Sequence, residues 1–232
     1  MPVLGLVLLA PSPPAADARP AAVIFRSPLF NPSETFVRAH AEGLRRYRPL
    51  LVGLDDKDNL PAGAAAVFAS SALAVRLGFA GGLAERLRPF APRLVHAHFA
   101  TDGLIALPLA GALSVPLATT LHGYDVARSR RALLLSGRLS WMRYALLGGR
   151  LRRRGTLFLA VSEAVRRAAL ARGFPAERTL THYLGVDLDR FRPGEPEPGL
   201  VLHVGRLVEK KGTMVLIDAV SRLPQARLVV IG

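Results

Sequence analysis

Cysteine is absent from the 232 residues of this chain. Its absence excludes disulfide bonds, thiolate nucleophiles and metal sites built on sulfur, and it is typical of proteins from a reducing cytoplasm. Lysine is scarce, because Lys57, Lys210 and Lys211 are the only lysines among the 31 basic residues. Because cysteine is absent, enzyme classes that depend on a thiol are excluded.

Long apolar runs are also lacking, since no stretch reaches the roughly 18 residues that a membrane-spanning helix needs. Near the N-terminus, VLGLVLLA resembles the apolar part of a signal peptide, and residues 16–18 fit a small-x-small cleavage site. A signal peptide requires Lys or Arg before its apolar part, and no such residue precedes this stretch. We interpret residues 1–20 as a proline-rich leader and expect a cytoplasmic protein.

Acidic residues are few, with 17 Asp and Glu against 31 Lys and Arg, which gives a formal net charge of +14. Such a charge favours a polyanionic partner. Nine arginines and no acidic residue lie between Arg128 and Arg154. No nucleic-acid recognition module is visible, so we expect no nucleic-acid partner.

An apolar stripe runs through this arginine-rich stretch, because Leu135, Leu139, Met142 and Leu146 share one face at helical spacing. Two interpretations stay open. The helix could lie on an anionic membrane surface, or its leucines could pack on a sheet while its arginines are solvated. In the first case the membrane-facing residues are Arg138, Arg143, Arg150, Arg152, Arg153 and Arg154.

Short apolar runs alternate with segments of helical period from residue 21 onward, a pattern typical of βαβ units with a parallel sheet. Strands are predicted at residues 21–26, 49–54, 65–69, 94–99, 116–123, 156–162 and 178–184. Helices are predicted at 33–47, 71–87, 101–114, the last interrupted or kinked at Pro108, and 162–173. The fold class is therefore α/β.

Residues 187–199 gather three prolines and two glycines, which is typical of a linker. A new strand-helix-strand unit starts after it. We predict a leader at 1–20, an N-terminal domain at 21–195 and the beginning of a second domain at 196–232. A domain needs on the order of 100 residues, so the second domain is expected to be incomplete.

The stretch VLHVGRLVEKKGTMVLIDAV, residues 201–220, contains a strand, a turn at Gly205 and a helix. Arg206 and Lys211 lie around the loop that opens the helix, where free amides and the helix dipole favour anions. The turn is either a diphosphate cradle or an ordinary exposed turn, because its spacing matches no Walker or GxGxxG motif.

Two more segments place polar groups at the carboxyl ends of strands, where open α/β sheets bind ligands. Ser33 and Glu34 precede the first helix, either as a ligand-binding loop or as a helix cap. His122 and Gly123 end a later strand, and glycine permits the close approach of a ligand. His122 is either a ligand contact or a structural histidine.

His96 and His98 are two residues apart on one strand, so they share a face and could chelate a metal. No carboxylate or third histidine is placed in the sequence to complete the set. We therefore predict no metal site.

Six stretches together resemble the retaining GT-B glycosyltransferases of family 4, in particular the bacterial enzymes that build exopolysaccharide or lipopolysaccharide, including colanic acid transferases. They are NPSETFVRAHAEGLRRY, LVHAHFATDG, PLATTLHGYDV, FLAVSEAVRRAALARGFPAERT, LGVDLDRFRP and VGRLVEKKGTMVLIDAV. The resemblance implies two Rossmann-like domains with parallel sheets, the second present here only as its first strand-helix-strand unit. It also implies transfer of a sugar from a nucleotide-diphosphate-sugar to a glycan or lipid-linked acceptor.

The resemblance also implies roles for individual residues. Arg206 and Lys211 would hold the donor diphosphate without a metal or cofactor, and His122 would be the catalytic-site histidine that contacts the transferred sugar. The cleft and acceptor loops would include Ser33, Glu34, Gly123, Gly185 and Asp187, with His98 and Asp102 on the acceptor side. The basic helix would permit peripheral binding to the inner membrane.

Two departures from the family pattern limit these expectations. Many relatives have Pro-Asn where this chain has Tyr183 and Leu184, and a family motif of two glutamates downstream of the LVVIG strand is missing. We therefore expect a truncated chain that transfers sugar poorly or not at all. The alternatives are a GT-B sugar-nucleotide epimerase and a non-catalytic, membrane-binding remnant.

Overall fold

A computed structural model describes residues 17–29, 34–54 and 66–232. The chain divides into two compact units, Met1–Leu184 and Gly185–Gly232. The strands of the first unit are β1 (Ala21–Phe25), β2 (Arg48–Gly53), β3 (Ala66–Phe68), β4 (Pro92–His98), β5 (Leu117–Leu121), β6 (Leu157–Ala160) and β7 (Thr179–Thr181). Its helices are α1 (Thr35–Glu42), α2 (Ala72–Leu77), α3 (Gly81–Leu87), α4 (Ala100–Leu113), α5 (Tyr124–Ala127), α6 (Arg130–Leu134), α7 (Leu139–Arg154) and α8 (Glu163–Ala171).

The seven strands form one parallel sheet in the order β3-β2-β1-β4-β5-β6-β7. The predicted α/β class with a parallel sheet is confirmed. The direction in which successive strands are added reverses between β1 and β4. In open parallel sheets, ligands bind outside the carboxyl ends of the strands at such a reversal.

Strand β4 separates two cores of different composition. Val95 and Ala97 point into the larger core, which α4 and α7 share. The alternating residues His96 and His98 face the opposite side of the sheet, since successive strand side chains point in opposite directions. There α1 packs a smaller apolar cluster that includes Val37. The histidine pair therefore lies under α1.

Two predicted helices differ in length from those observed. The helix predicted at 33–47 ends at Glu42, where the N–H of Gly43 donates to the carbonyl oxygen of Ala39. The helix predicted at 71–87 is two helices, because Gly78 adopts φ +106° and ends α2. Left-handed glycine is a common helix terminator, and the alanine-rich composition of this segment concealed it.

Helix α4 continues from Ala100 to Leu113 through Pro108, so of the predicted interruption or kink the interruption is wrong. Proline removes one backbone hydrogen bond from a helix interior. Burial of Leu104, Ile105 and Leu109 in the larger core offsets that loss.

The arginine-rich stretch does not form one helix, because α6 ends at Leu134, Gly137 adopts φ +66°, and α7 begins at Leu139. The buried face of α7 consists of Tyr144, Gly148 and Leu151. The predicted apolar stripe lies on the exposed side, with exposed fractions of 74% for Leu135, 47% for Leu139, 38% for Met142 and 61% for Leu146. The interpretation in which these leucines pack on the sheet is therefore wrong.

The second unit contains β8 (Leu200–Val204), α9 (Thr213–Ser221) and β9 (Arg227–Ile231), with the two strands parallel. This is the predicted strand-helix-strand unit. Residues 187–199 contain neither helix nor strand and are exposed, and the boundary predicted at 195 and 196 falls within them. Among the described residues, no helix has the length and apolar character required to cross a membrane.

Candidate functional site

Arg26 follows β1 directly and joins two carboxylates at the reversal of the strand order. Its Nε and Nη2 donate to the two carboxylate oxygens of Glu34, at 2.8 and 2.7 Å. Its Nη1 donates to Oδ2 of Asp102 in the first turn of α4, at 2.6 Å. This triad of Arg26, Glu34 and Asp102 therefore fixes the end of β1 to the starts of α1 and α4.

The triad is largely removed from water. The side chains of Arg26, Glu34 and Asp102 are 12%, 13% and 3% exposed. Burial raises the pKa of Asp102, an effect opposed by Arg26 and by the N–H of Ser27, which donates to Oδ2 at 2.7 Å. Burial disfavours the charge of Arg26, but Asp102 and Glu34 outweigh it and raise the pKa of the guanidinium. Asp102, predicted on the acceptor side, thus has an internal partner.

His122 follows β5 and lies against two aromatic rings. The ring centres of Phe36 and Phe99 are each 4.4 Å from that of His122. Its Nε2 lies 3.1 Å from Nδ1 of His98, at hydrogen-bonding distance. Burial, followed by the charge of Arg26, lowers the pKa of His122 to about 4. The imidazole is therefore neutral at pH 7, with Nδ1 left for other partners.

Asp125 fixes the loop that carries His122. Its Oδ1 accepts the backbone N–H of His122 at 3.2 Å, and its Oδ2 accepts that of Ala100 at 2.7 Å. Burial raises the pKa of Asp125 to about 6, although backbone N–H groups oppose the shift. Gly123 adopts φ +97°, which favours glycine at this turn. The loops after β4 and β5 are thereby held together.

Three histidines, His40, His96 and His98, lie close together near this edge of the sheet. His40, in the last turn of α1, places Nδ1 3.1 Å from Nε2 of His98. One ring nitrogen from each of His40, His96 and His98 lies within 4.8 Å of the others. The sequence predicted no third histidine beside His96 and His98. That prediction is wrong, because helix α1, which is distant from β4 in the sequence, supplies His40.

Burial governs the charge of this histidine cluster. It lowers the pKa of His40, that of His96 to about 3, and that of His98 well below its usual range. His98 is only 2% exposed, so it offers an acceptor almost no surface, and its Nδ1 contacts His122 instead. All three rings are neutral at pH 7.

The predicted donor residues lie in the second unit. Arg206 and Lys211 are both exposed on the turn between β8 and α9, and the aliphatic part of Lys211 passes beside Gly205. Gly212, with φ +68°, begins α9 without a side-chain cap. In the same unit, Oδ1 of Asp187 accepts the N–H groups of residues 189 and 190.

The predicted site residues thus fall into two groups. Glu34, His98, Asp102, His122 and Gly123 meet at the carboxyl edge of the seven-stranded sheet, and Ser33 lies outside the described residues. Gly185, Asp187, Arg206 and Lys211 belong to the second unit. Two further residues of this edge were not predicted: Arg26, which binds Glu34 and Asp102, and His40, which contacts His98. A charged residue directly after the buried strand AAVIF was the available signal for Arg26.

On the basic surface around α7, aromatic rings contact arginine side chains. The guanidinium of Arg128 lies 4.4 Å from the ring centre of Tyr124 and 4.6 Å from that of Trp141. Arg138 lies 5.1 Å from the Trp141 ring. Arg152, Arg153 and Arg154 form the last turn of α7. Cation–π contacts therefore fix part of this surface.

Comparisons with known proteins identify the family and agree with the fold. The chain is 34% identical over 146 residues to a protein of Salmonella typhimurium named as a colanic acid biosynthesis glycosyltransferase, WcaL, covering 60% of this chain and 34% of that protein. It is 30% identical over 149 residues to the amylovoran biosynthesis glycosyltransferase AmsK of Erwinia amylovora, covering 62% of this chain and 34% of that protein. The alignments thus span about a third of these relatives.

The crystal structure of Anabaena HepE in complex with UDP and glucose superposes with a TM-score of 0.68 at 19% identity, covering 91% of this chain and 61% of that chain. This likeness confirms the predicted GT-B class of fold. The model of Glycosyltransferase Family 4 matches residues 33–190, a region that runs from the loop before α1 to the segment after β7. The chain therefore belongs to Glycosyltransferase Family 4.

Proposed function

We propose that this chain is part of a retaining glycosyltransferase that moves a sugar from a nucleotide-diphosphate-sugar to a saccharide or lipid-linked acceptor in surface polysaccharide biosynthesis. One observation carries the proposal. The family match over residues 33–190 includes the edge where Glu34, Asp102 and His122 meet, at the reversal of the strand order. The names of WcaL and AmsK support a role in exopolysaccharide synthesis.

Arg206 and Lys211 are proposed to bind the donor diphosphate. They lie on one exposed strand-to-helix turn, beside the uncapped start of α9. Two cations with free helix amides complement a diphosphate and would offset charge on the departing nucleotide without a metal. The UDP bound by HepE, whose fold this chain shares, supports a nucleotide ligand.

His122 is proposed to orient the transferred sugar. A neutral imidazole can exchange one hydrogen bond with a sugar hydroxyl through Nδ1, because His98 contacts Nε2. The rings of Phe36 and Phe99 restrict its tilt. The triad fixes the neighbouring loops, so His122 meets a substrate in a defined orientation.

Nucleotide binding tests the donor assignment. Isothermal titration of UDP, GDP and ADP into the chain, Arg206→Ala and Lys211→Ala should show a loss of about tenfold or more in each variant, since charge-assisted hydrogen bonds to phosphate are lost. Arg222→Ala is the matched control, because Arg222 is an exposed arginine of the same unit and pairs with Asp218. Equal affinities in the Arg206 and Arg222 variants would contradict the assignment.

Product analysis tests the reaction. A radiolabelled nucleotide-sugar is incubated with and without lipid-linked glycan acceptors, and products are separated for the chain and for His122→Ala. Any transfer that occurs should retain the anomeric configuration and should be weaker in His122→Ala than in the parent chain. Formation of an epimerised nucleotide-sugar in the absence of acceptor would instead favour the epimerase alternative.

We also propose that α7 binds the anionic inner face of the membrane, where lipid-linked acceptors reside. Leu139, Met142 and Leu146 are exposed on a helix that also exposes Arg150, Arg153 and Arg154. Arg143, predicted to face the membrane, is half-buried with its Nη1 in the interior and is left out of this surface. Apolar side chains flanked by arginine are typical of helices that lie on anionic lipid. Vesicles containing phosphatidylglycerol should sediment the chain, whereas pure phosphatidylcholine vesicles should not. Sedimentation should weaken with salt and in the Leu139→Ser/Leu146→Ser variant, and equal binding to neutral vesicles would contradict the proposal.

A further inference from the structure

The histidine cluster of His40, His96 and His98 has the composition and spacing of a transition-metal site. We propose that these three side chains bind one divalent ion of the zinc class and so fasten α1 to β4. The proposal does not depend on the transferase activity. The site lies next to His122, which contacts His98. Its two strand histidines, His96 and His98, are 7% and 2% exposed.

The spacing of the ring nitrogens supports a shared ion. Two nitrogens bound to tetrahedral zinc at 2.0–2.1 Å lie about 3.3 Å apart. Nδ1 of His40 and Nε2 of His98 are already 3.1 Å apart. The cluster as a whole falls within 4.8 Å, so rotation of one imidazole by ~1–2 Å at its edge would complete three ligands.

The outer nitrogens have the partners that metal-binding histidines require. Nε2 of His96 lies 2.7 Å from Oγ1 of Thr120, and Nδ1 of His98 lies 3.1 Å from Nε2 of His122. In metal sites, the second ring nitrogen of a histidine ligand is held by such a partner, which sets the tautomer and the ring orientation. Nδ1 of His96 and Nε2 of His98 are then left for an ion, and the latter lies 3.1 Å from Nδ1 of His40.

The chemistry of the donors selects the ion. Three imidazoles without a carboxylate suit Zn²⁺, Co²⁺ or Ni²⁺, and they do not suit Mg²⁺ or Ca²⁺, which prefer oxygen.

The consequence would be structural. Helix α1 has eight residues and buries only Val37 and Ala41. A helix this short depends on its tertiary contacts. An ion shared between His40 and the two strand histidines would anchor α1, and with it Glu34, whose carboxylate holds Arg26.

Cobalt spectroscopy tests the site directly. The chelator-treated 232-residue chain is titrated with Co²⁺, followed by Zn²⁺ competition. One equivalent with the intense visible absorption of four-coordinate cobalt is expected. Affinity should fall by about 100-fold or more in His40→Ala, which removes a ligand, and by about 10-fold in Thr120→Val, which removes only the hydroxyl that contacts Nε2 of His96. His203→Ala is the control, since His203 lies in the second unit and pairs with Thr213.

Thermal unfolding gives a second measurement, and circular dichroism checks that each variant is folded. His40 is only half-buried, so its replacement is the least disruptive of the three. Zinc should raise the Tm of the parent chain and of His203→Ala, and should leave that of His40→Ala unchanged. Octahedral cobalt alone, no bound equivalent, or affinity equal in His40→Ala and His203→Ala would overturn the proposal and leave the cluster as a hydrogen-bonded histidine chain.

Discussion

The two units of the chain hold their candidate site residues in opposite ways. In the first unit, Asp102 and His98 are almost fully buried and each has a side-chain partner. In the second unit, Arg206 and Lys211 are exposed on a turn that glycines and backbone hydrogen bonds define. Polar residues of the first unit therefore stabilise the fold as well as forming the candidate site. Those of the second unit contribute little to the fold and are available for binding.

The difference has a physical origin in burial. The first unit closes apolar cores on both faces of its sheet, so a charge at the sheet edge is desolvated and requires a partner. In the second unit, Val220 is the buried apolar residue, while Met214 and Val215 are 75% and 73% exposed. Charges there stay in water, where pairing changes the free energy little.

The largest expected effect comes from Arg26→Ala. It would leave the carboxylates of Glu34 and Asp102 facing each other without their cation, which should lower the free energy of unfolding by about 3–5 kcal/mol. Chemical denaturation followed by the fluorescence of Trp141, the single tryptophan, measures it. Arg222→Ala is the matched control, because its pair with Asp218 is exposed and should contribute about 0–1 kcal/mol. Similar losses in both variants would contradict the contrast between the units.

A pH-dependent effect is expected from Asp125. Its pKa is about 6 in the folded state and near 3.8 in the unfolded chain, so the folded state holds the proton more tightly between these values. Its contribution to stability is therefore present below pH 4, falls as pH rises to about 6, and is constant above. The difference in unfolding free energy between the parent and Asp125→Asn should shrink by about 3 kcal/mol over that range.

The measurement must compare the two proteins at each pH, because the buried histidines act in the opposite sense. Their lowered pKa values make the folded state less stable as pH falls below about 6.5. Subtracting Asp125→Asn from the parent removes that shared slope. A difference that stays constant from pH 4 to pH 7 would show that Asp125 titrates alike in both states.

A smaller effect is expected where a glycine allows close packing. A Cβ on Gly103 would lie 2.7 Å from Oγ1 and 2.8 Å from Cγ2 of Thr119. Overpacking of this kind costs about 1–3 kcal/mol, so Gly103→Ala should destabilise the chain. Gly185→Ala, in the second unit, meets nothing within 4 Å and should be close to neutral.

A double variant separates crowding from other causes. Thr119→Ala removes the two atoms nearest to the new Cβ and leaves Cδ2 of Leu151 at 3.2 Å. In that background Gly103→Ala should become neutral or stabilising, since alanine is the better helix former in α4 by about 1 kcal/mol. If the substitution costs the same in both backgrounds, Thr119 is not the limiting contact.

The sequence indicated the strands and their polar ends, because strand patterns and strand-end chemistry are local. It placed His96 and His98 on one face by their spacing. It did not place His40 beside them, since that contact depends on β1 and β4 being neighbours, a pairing between segments about 70 residues apart. It could not decide whether the apolar stripe of α7 is packed or exposed, because the buried face includes Gly148, and a glycine adds nothing to an apolar pattern.

The smallest stability effect is expected from the residues with the largest proposed effect on donor binding. Arg206→Ala and Lys211→Ala remove exposed cations, so each should change the free energy of unfolding by at most about 0.5 kcal/mol. Denaturation of the second unit is followed by amide hydrogen exchange in β8 and α9, because Trp141 reports on the first unit. Nucleotide affinity and exchange protection are then compared in the same samples. A variant that loses UDP affinity together with protection has lost the turn itself, and the separation of binding from stability in this unit would fail. Loss of affinity with unchanged protection would show that the second unit, unlike the edge around Arg26, holds its charges for a ligand and not for the fold.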